Sequence, residues 1–343
     1  MGTTHLSGLE VAGVPTQGVS GAPLFTGNWF FVDAINGNDG NTGAAGSPLA
    51  TVYVAYSKMV AGHNDVCVIV SSGATASTQR LSVVNAQIAT PAASAGTLTW
   101  AKNACHLIGQ TSPVMNSSRA RFAPPTGTYT QTTFGSGNFV VVSAQGCYFA
   151  NFSVYNGFST GGNSQIAWTD SGGRNYYENI QFQGAADTES AQSTTSRSML
   201  ITGTTGENTF VNCTFGTDTV QKTVANATLE LAGGTPRNTF RGCHFEMNTS
   251  SATTLTVLGT GASCIDRWQS FEGCTFFNAV SSGSTTQTQV VSLTNASPGG
   301  LLMFKSCTSV GATKWGGTNA LANSYVDGGP PTAATTGLAV NPS

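Results

Sequence analysis

One six-residue pattern recurs six times along the chain: Phe149-Ala-Asn151-Phe152-Ser-Val154, Tyr177-Glu-Asn179-Ile180-Gln-Phe182, Phe210-Val-Asn212-Cys213-Thr-Phe215, Phe240-Arg-Gly242-Cys243-His-Phe245, Phe271-Glu-Gly273-Cys274-Thr-Phe276 and Phe304-Lys-Ser306-Cys307-Thr-Ser309. Successive leading aromatics are 28, 33, 30, 31 and 33 residues apart. A period of this length marks a solenoid, in which each repeat buries its apolar face against the next. The differences in spacing fall in Ser/Thr/Gly-rich stretches, where insertions are tolerated.

The parity within the pattern carries geometry. In one uninterrupted strand, residues three apart face opposite sides of a sheet, so the leading aromatic and the apolar residue at the fourth position could not both point inward. The third position reads Asn, Asn, Asn, Gly, Gly, Ser. Asn and Gly tolerate left-handed backbone, so a corner sits there and resets the alternation. Stacked coil on coil, Phe149, Tyr177, Phe210, Phe240, Phe271 and Phe304 then form one internal ladder, and Cys213, Cys243, Cys274 and Cys307 form another. The position after the leading aromatic faces solvent and reads Ala150, Glu178, Val211, Arg241, Glu272, Lys305, which places opposite charges on adjacent coils. Arg174, Glu207 and Arg237 alternate in the same way at the preceding turn. A further apolar strand precedes each pattern, for example Phe139-Val-Val-Val142 and Gln165-Ile-Ala-Trp168. Three short strands per coil is the plan of a parallel β-helix.

Upstream, Trp29-Phe-Phe-Val-Asp33 reads as a strand and Asn36 to Gly43 as a turn-rich loop. Leu49 to Ala61 reads as an amphipathic helix that caps the open core, with Ser47 as N-cap and Pro48 in the first turn. Val66 to Val70 starts the coils, Cys105 to Gly109 continues them, and Arg119 to Thr133 reads as an excursion. The expected organisation is an extended N-terminal arm and anchoring segment over 1–28, a lead-in over 29–65, β-helix coils over 66–312, and a C-terminal arm or cap over 313–343.

Charge narrows the function classes. Only 13 Lys+Arg and 15 Asp+Glu occur in 343 residues, 8%, against about a quarter in ordinary globular proteins. With a net charge of -2 there is no basic stripe to neutralise phosphates, which argues against a nucleic-acid partner. No run of 18 apolar residues and no signal-peptide pattern occurs, so neither membrane insertion nor secretion by that route is expected. The eight cysteines stand singly, without CxxC pairs or His at zinc spacing, and are expected to be buried reduced thiols. No metal and no cofactor is expected.

The segments Phe31-Val-Asp33, Asn36-Gly-Asn-Asp39, Gly46-Ser-Pro-Leu-Ala-Thr51 and Asp65-Val-Cys-Val-Ile69, together with the six coils, resemble the right-handed parallel β-helix of the pectate-lyase-like superfamily. The resemblance implies an all-β solenoid with one N-terminal capping helix and extended terminal arms. It is specific for fold rather than function, because this fold hosts lyases, hydrolases, phage tailspikes and inert virion parts. The opening Thr4-His5-Leu6-Ser-Gly-Leu9, followed by Gly13-Val-Pro15, resembles the short N-terminal arms of bacteriophage virion proteins. That implies anchoring through Thr4, His5, Leu6 and Leu9, assembly in the host cytoplasm, other virion proteins as partners, and a homotrimer.

The chemistry-bearing residues are sparse. Glycoside hydrolysis needs two carboxylates roughly 5 to 10 Å apart. The best candidates are Asp187 and Glu189 in the long loop after Phe182, with Asp218 in the corresponding loop of the next coil. Asp33, Asn36, Asn38 and Asp39 miss the EF-hand pattern and read as a turn bonding its own backbone. His5, His63, His106 and His244 are isolated and expected in surface or turn roles, and the five tryptophans in caps and turns. The sequence therefore favours a non-enzymatic structural protein of a bacteriophage virion, a tailspike-like or capsid-decoration part that contacts host-surface glycans. The alternative is a polysaccharide depolymerase, a lyase or glycoside hydrolase.

Overall fold

The computed structural model describes residues 25–71, 97–123, 137–156, 166–279 and 283–327, with the backbone alone of 10–11, 14–15 and 82–83 and without the side chains of 122, 123, 189 and 190. The coils wind through three parallel sheets of seven, ten and eight strands, met in that order along each full coil. In one such coil Ile166–Asp170 belongs to the seven-stranded sheet, Tyr176–Glu178 to the ten-stranded sheet and Gln181–Gln183 to the eight-stranded sheet. The parallel β-helix read from the repeat is the observed fold. Anchoring residues Thr4, His5, Leu6 and Leu9 lie outside the described residues.

The corner is where the repeat placed it. Asn151, Asn179, Asn212, Gly242, Gly273 and Ser306 all have positive φ, between 51° and 61°. The reversal lets the leading aromatic and the two apolar residues that follow it share one interior. Phe210, Phe240, Phe271 and Phe304 stack with ring centroids 4.6–4.8 Å apart, nearly parallel. Phe215, Phe245 and Phe276 stack beside them at 4.7 and 4.8 Å and meet them edge-on. The spacing is that of neighbouring strands, so backbone register and ring stacking reinforce each other. Cys213, Cys243, Cys274 and Cys307 are buried free thiols; Cys274 and Cys307 each donate to the carbonyl of the leading aromatic one coil back, at 3.4 Å.

The seven-stranded sheet closes the core with Leu98, Val140, Trp168, Met199, Leu229, Val257 and Val291 in register. The next inward row contains a carboxylate, Asp170, among Val142, Ile201 and Leu231. Asp170 is buried and accepts from Gly173 N at 2.8 Å, Asn175 Nδ2 at 3.0 Å and the Tyr177 hydroxyl. Burial pushes its pKa up, against those bonds. It orders the turn into the ten-stranded sheet, where Asn175, Asn208 and Asn238 each accept the backbone N–H one coil back, at 2.9 Å.

Four expectations are corrected. The capping helix α1 is Val52–Lys58, shorter than Leu49 to Ala61, and its N-cap is Thr51 rather than Ser47. The reason is that Leu49 is used in a bridge to Val32, while Asp39 accepts from Thr51 N and Thr51 Oγ1 and so presents Thr51 to Val54 N. The excursion after Arg119 begins with a strand, Arg121–Ala123, of the eight-stranded sheet. Ala150 is buried rather than solvent-facing, its methyl lying between Ile108 and Glu178 on the neighbouring strands. Trp100 and Trp168 are core residues of the seven-stranded sheet, not cap or turn packing. At the C-terminal end Trp315 closes the stack against Phe276 and Phe304, and strand Ser324–Val326 ends the ten-stranded sheet.

Candidate functional site

The charged surface separates into two faces on either side of the Asn/Gly corner. On the ten-stranded side, Arg241 Nε donates to Glu272 at 3.1 Å and Lys305 Nζ at 3.4 Å. One turn earlier Arg174 Nε meets Glu207 at 2.8 Å, and Arg237 pairs with the same carboxylate. Both alternations read from sequence are present as ion pairs.

Elsewhere carboxylates hold turns. Asp33 accepts from Ile35 N and Asn36 N, Asp39 from Ala50 N and Thr51 N, and buried Asp65 from Asn28 N, Val60 N and His63 Nδ1. Glu230 binds Arg197 Nε at 2.6 Å, Glu178 accepts from the Tyr148 hydroxyl, Asp327 from Ser306 N, and Asp266 faces Arg267. With Asp170, Glu207, Glu246 and Glu272, eleven of the thirteen acids with described side chains have a named structural partner.

The outer face of the eight-stranded sheet is built differently. One outward row runs Ser153, Gln181, Thr214, His244, Thr275 on successive strands. Ser153 Oγ, Thr214 Oγ1 and His244 Nε2 are buried without a hydrogen-bond partner. Next to the row, Glu246 stands directly beside Gly216. The Glu246 carboxylate reaches across strand Thr214–Lys222 to accept from Gln181 Nε2 at 3.1 Å, and from Asn116 Nδ2 at 3.5 Å. Gly216 also has φ of 107°, and a Cβ there would lie 1.9 Å from the Glu246 carbonyl oxygen.

Asp218 sits on a bulge of that strand, where pairing jumps from Thr217 with Met247 to Gln221 with Asn248. Thr217 Oγ1 accepts from Thr219 N at 3.3 Å and its hydroxyl lies 2.8 Å from that of Thr219, which bends the strand and leaves Asp218 exposed. Burial and then the Asp218 charge push Glu246 up to about 7. Lys222, fully buried and donating to Thr228 Oγ1 at 3.0 Å, is pushed down to about 7 by burial and then by Arg197. Burial lowers His244, opposed by Asp218.

Of the residues singled out by sequence, the structure brings Asp218 into this cluster. Asp187 is half-buried at the start of α2 (Thr188–Ala191), where its carbonyl accepts from Ala191 N at 2.9 Å. The Glu189 side chain lies outside the described residues. Sequence reasoning missed Glu246, whose only signal was a carboxylate in the outward position after an inward Phe, opposite a Gly one coil earlier. It also placed His106 and His244 in surface or turn roles. His106 is buried under Phe25, ring centroids 4.0 Å apart, and burial lowers its pKa to about 4. Among the described residues no three His, Cys, Asp or Glu side chains converge as metal ligands.

No protein-family model and no curated protein matches the sequence. Among solved structures, a pectate lyase superposes with a TM-score of 0.57 at 14% identity, over 84% of this chain and 64% of its own. This chain therefore spans less than two thirds of that enzyme's length. A pectin methylesterase solved in complex with a hexasaccharide superposes with a TM-score of 0.52 at 15% identity, over 86% of this chain and 82% of its own. At such identities the likeness establishes the fold alone.

Proposed function

We propose that this chain is a non-enzymatic structural component of a bacteriophage virion: a stiff β-helical part, tailspike-like or capsid-decorating, that assembles as a homotrimer in the host cytoplasm and presents its loops to host-surface glycans. The observation that carries this reading is the use of acids, at least ten of the thirteen with described side chains being tied into turns, corners or cross-coil pairs. A chain with so few charges and so many of them structurally engaged is organised for rigidity. The resemblance of Thr4-His5-Leu6-Ser-Gly-Leu9 to phage virion arms supplies the particle and assigns anchoring to residues 1–28. Deleting residues 2–24, short of Phe25 and Asn28, which pack on His106 and bond Asp65, is expected to leave a folded protein that no longer joins particles; unchanged incorporation would overturn the anchoring role.

Glu246 and Asp218 favour one second reading, a polysaccharide depolymerase. A carboxyl raised to about 7 beside an exposed carboxylate has the protonation pattern of a general acid with an ionised partner. Incubating the purified chain with host-surface polysaccharide separates the two readings. Intact polysaccharide is the expected result, whereas oligosaccharides whose release is lost in both Asp218→Asn and Glu246→Gln would replace the structural reading with the enzymatic one.

A further inference from the structure

The outer face of the ten-stranded sheet carries rings of its own, separate from the Phe ladder inside. Trp29, Val66, His106, Tyr148 and Tyr176 follow one another on successive strands, alternating along those strands with core residues such as Cys67, Leu107, Phe149 and Tyr177. Phe25, brought in by the entering segment, joins them: its ring centroid lies 6.4 Å from that of Trp29, 4.0 Å from His106 and 5.7 Å from Tyr148. His106 is pinned beneath it. Its Nδ1 accepts from Tyr148 N at 3.0 Å, so its Nε2 carries the proton and donates to Asn64 Oδ1 at 3.3 Å. Tyr148 and Tyr176 stack with centroids 5.6 Å apart and planes 12° apart, and the Tyr148 hydroxyl donates to Glu178 at 2.9 Å. The rings are held in place before anything binds to them.

The row then loses its rings. After Tyr176 it reads Thr209, Thr239 and Ser270 on the next three strands. One face of Tyr176 is covered by Tyr148; the other looks along the row over Thr209, where a further ring, one strand spacing of about 4.8 Å on, would continue the stack. Charged groups of both signs surround that place. Arg174 and Glu178 flank Tyr176 two residues to either side, and Glu207, two residues before Thr209, is joined to Arg174 at 2.8 Å. Arg241, exposed, follows Glu178 and Val211 in the adjacent row. Burial and then the Glu178 charge raise the Tyr176 pKa, and Arg241 opposes them, so both charges reach the phenol.

We propose that this interruption is a carbohydrate subsite, in which one pyranose ring of a host-surface glycan continues the stack on the free face of Tyr176 above Thr209. The proposal rests on the reading of the chain as a glycan-contacting particle part, and puts that contact on a sheet face rather than on loops. A pyranose offers an apolar C–H face to the phenol ring and a rim of hydroxyls to Arg174, Glu178, Glu207 and Arg241. An apolar side chain of a protein partner would fill the same space, but it would strip water from these charged groups and give them no bond in return. Arg174 is engaged through Nε and Nη1, and Arg241 through Nε. Those bonds orient the two guanidinium heads, while the N–H groups that remain can donate to hydroxyls.

The test is binding of the purified full chain to an array of bacterial surface polysaccharides, followed by titration of the strongest binder. Saturable binding is expected, weakened about tenfold or more in Tyr176→Ala and changed less than about threefold in Tyr176→Phe. Thr209→Tyr supplies the missing ring from the chain itself. It should abolish binding while leaving the thermal midpoint equal to or above that of the unmodified chain, which separates loss of the site from loss of the fold. No binding anywhere on the array, binding untouched by Thr209→Tyr or by Tyr176→Ala, or Tyr176→Phe as weak as Tyr176→Ala would each overturn the subsite. Presence in purified particles is scored in parallel. A chain found in particles that binds no glycan removes the subsite alone, and one that binds glycan through Tyr176 but is absent from particles removes the particle reading alone.

Discussion

On the outer face of the ten-stranded sheet, Arg241, Glu272 and Lys305 are partly exposed and bind one another across coils. A few residues further round, on the eight-stranded sheet, Glu246 and Lys222 are buried and bond to neutral partners, Gln181 and Thr228. The same residue types thus meet two different dielectric environments. Exposed pairs contribute roughly 0–1 kcal/mol each and are screened by salt. Buried charges without an ion partner move toward their neutral forms instead. One face therefore fixes register at small energetic consequence, while the other couples structure to pH.

The strongest way to break this contrast is to displace the backbone of Glu246 from the strand beside it. Gly216→Ala puts a Cβ against the Glu246 carbonyl oxygen and asks Ala to adopt φ of 107°. Relief requires moving one strand of a ladder paired on both sides. We expect a loss of about 3 kcal/mol or more, measured as the shift in denaturant midpoint. A loss under about 1 kcal/mol would mean that strand Thr214–Lys222 yields easily and that its geometry does not dictate the position of Glu246.

The next largest effect is a difference in sign. The folded pKa of Glu246 is raised, so its contribution is present below the ordinary Glu value and is lost as pH rises towards about 7. Lys222 is depressed, so its contribution is recovered as pH rises from about 7 towards the ordinary Lys value. Glu272 behaves oppositely to Glu246. Burial alone would raise it, but bonds from Ser270, Arg241 and Lys305 hold it below the ordinary value, so its contribution is present at neutral pH and lost in acid. Glu246→Gln should therefore stabilise the chain at pH 8, by about 2 kcal/mol. Glu272→Gln should destabilise it there by less than about 1 kcal/mol, an effect that 1 M salt shrinks. Thermal unfolding of both variants across pH 5 to 8 checks the signs; two curves of the same slope would erase the distinction between the faces.

The two faces also differ in how far sequence disclosed them. Arg241, Glu272 and Lys305 occupy one position of a repeat with a fixed period, so their neighbours could be counted off, and the same counting located the Asn/Gly corners and the Phe and Cys ladders. Glu246 has its partners at Gln181 and Asn116, and the second lies on an inserted segment outside the repeat. Periodicity says nothing about where an insertion lands. Asp218 was singled out because it lies in a loop-like stretch, and the bulge does expose it, but its relation to Glu246 depends on where that bulge breaks the pairing with the next coil. Helix α1 was misplaced at its start for a similar reason: Asp39, twelve residues upstream of Thr51, decides which residue caps it.

The smallest effect probes the corner that separates the two faces. Ser306 holds a left-handed φ of 53° at a position where neighbouring coils carry Gly242 and Gly273 with φ of 58° and 61°. A non-Gly residue pays roughly 1–2 kcal/mol for that conformation, and Gly loses about 0.5–1 kcal/mol through the greater freedom of its unfolded chain. Ser306→Gly should therefore stabilise by about 0.5 kcal/mol, provided that Ser306 N keeps its bond to Asp327, which a backbone donor allows. The gain should be the same at pH 5 and pH 8 and at low and high salt, because the exposed Ser306 side chain belongs to neither charged face. A gain that varied with pH or salt would show that the corner transmits charge effects from one sheet to the next, and the two faces would then have to be treated as one coupled surface.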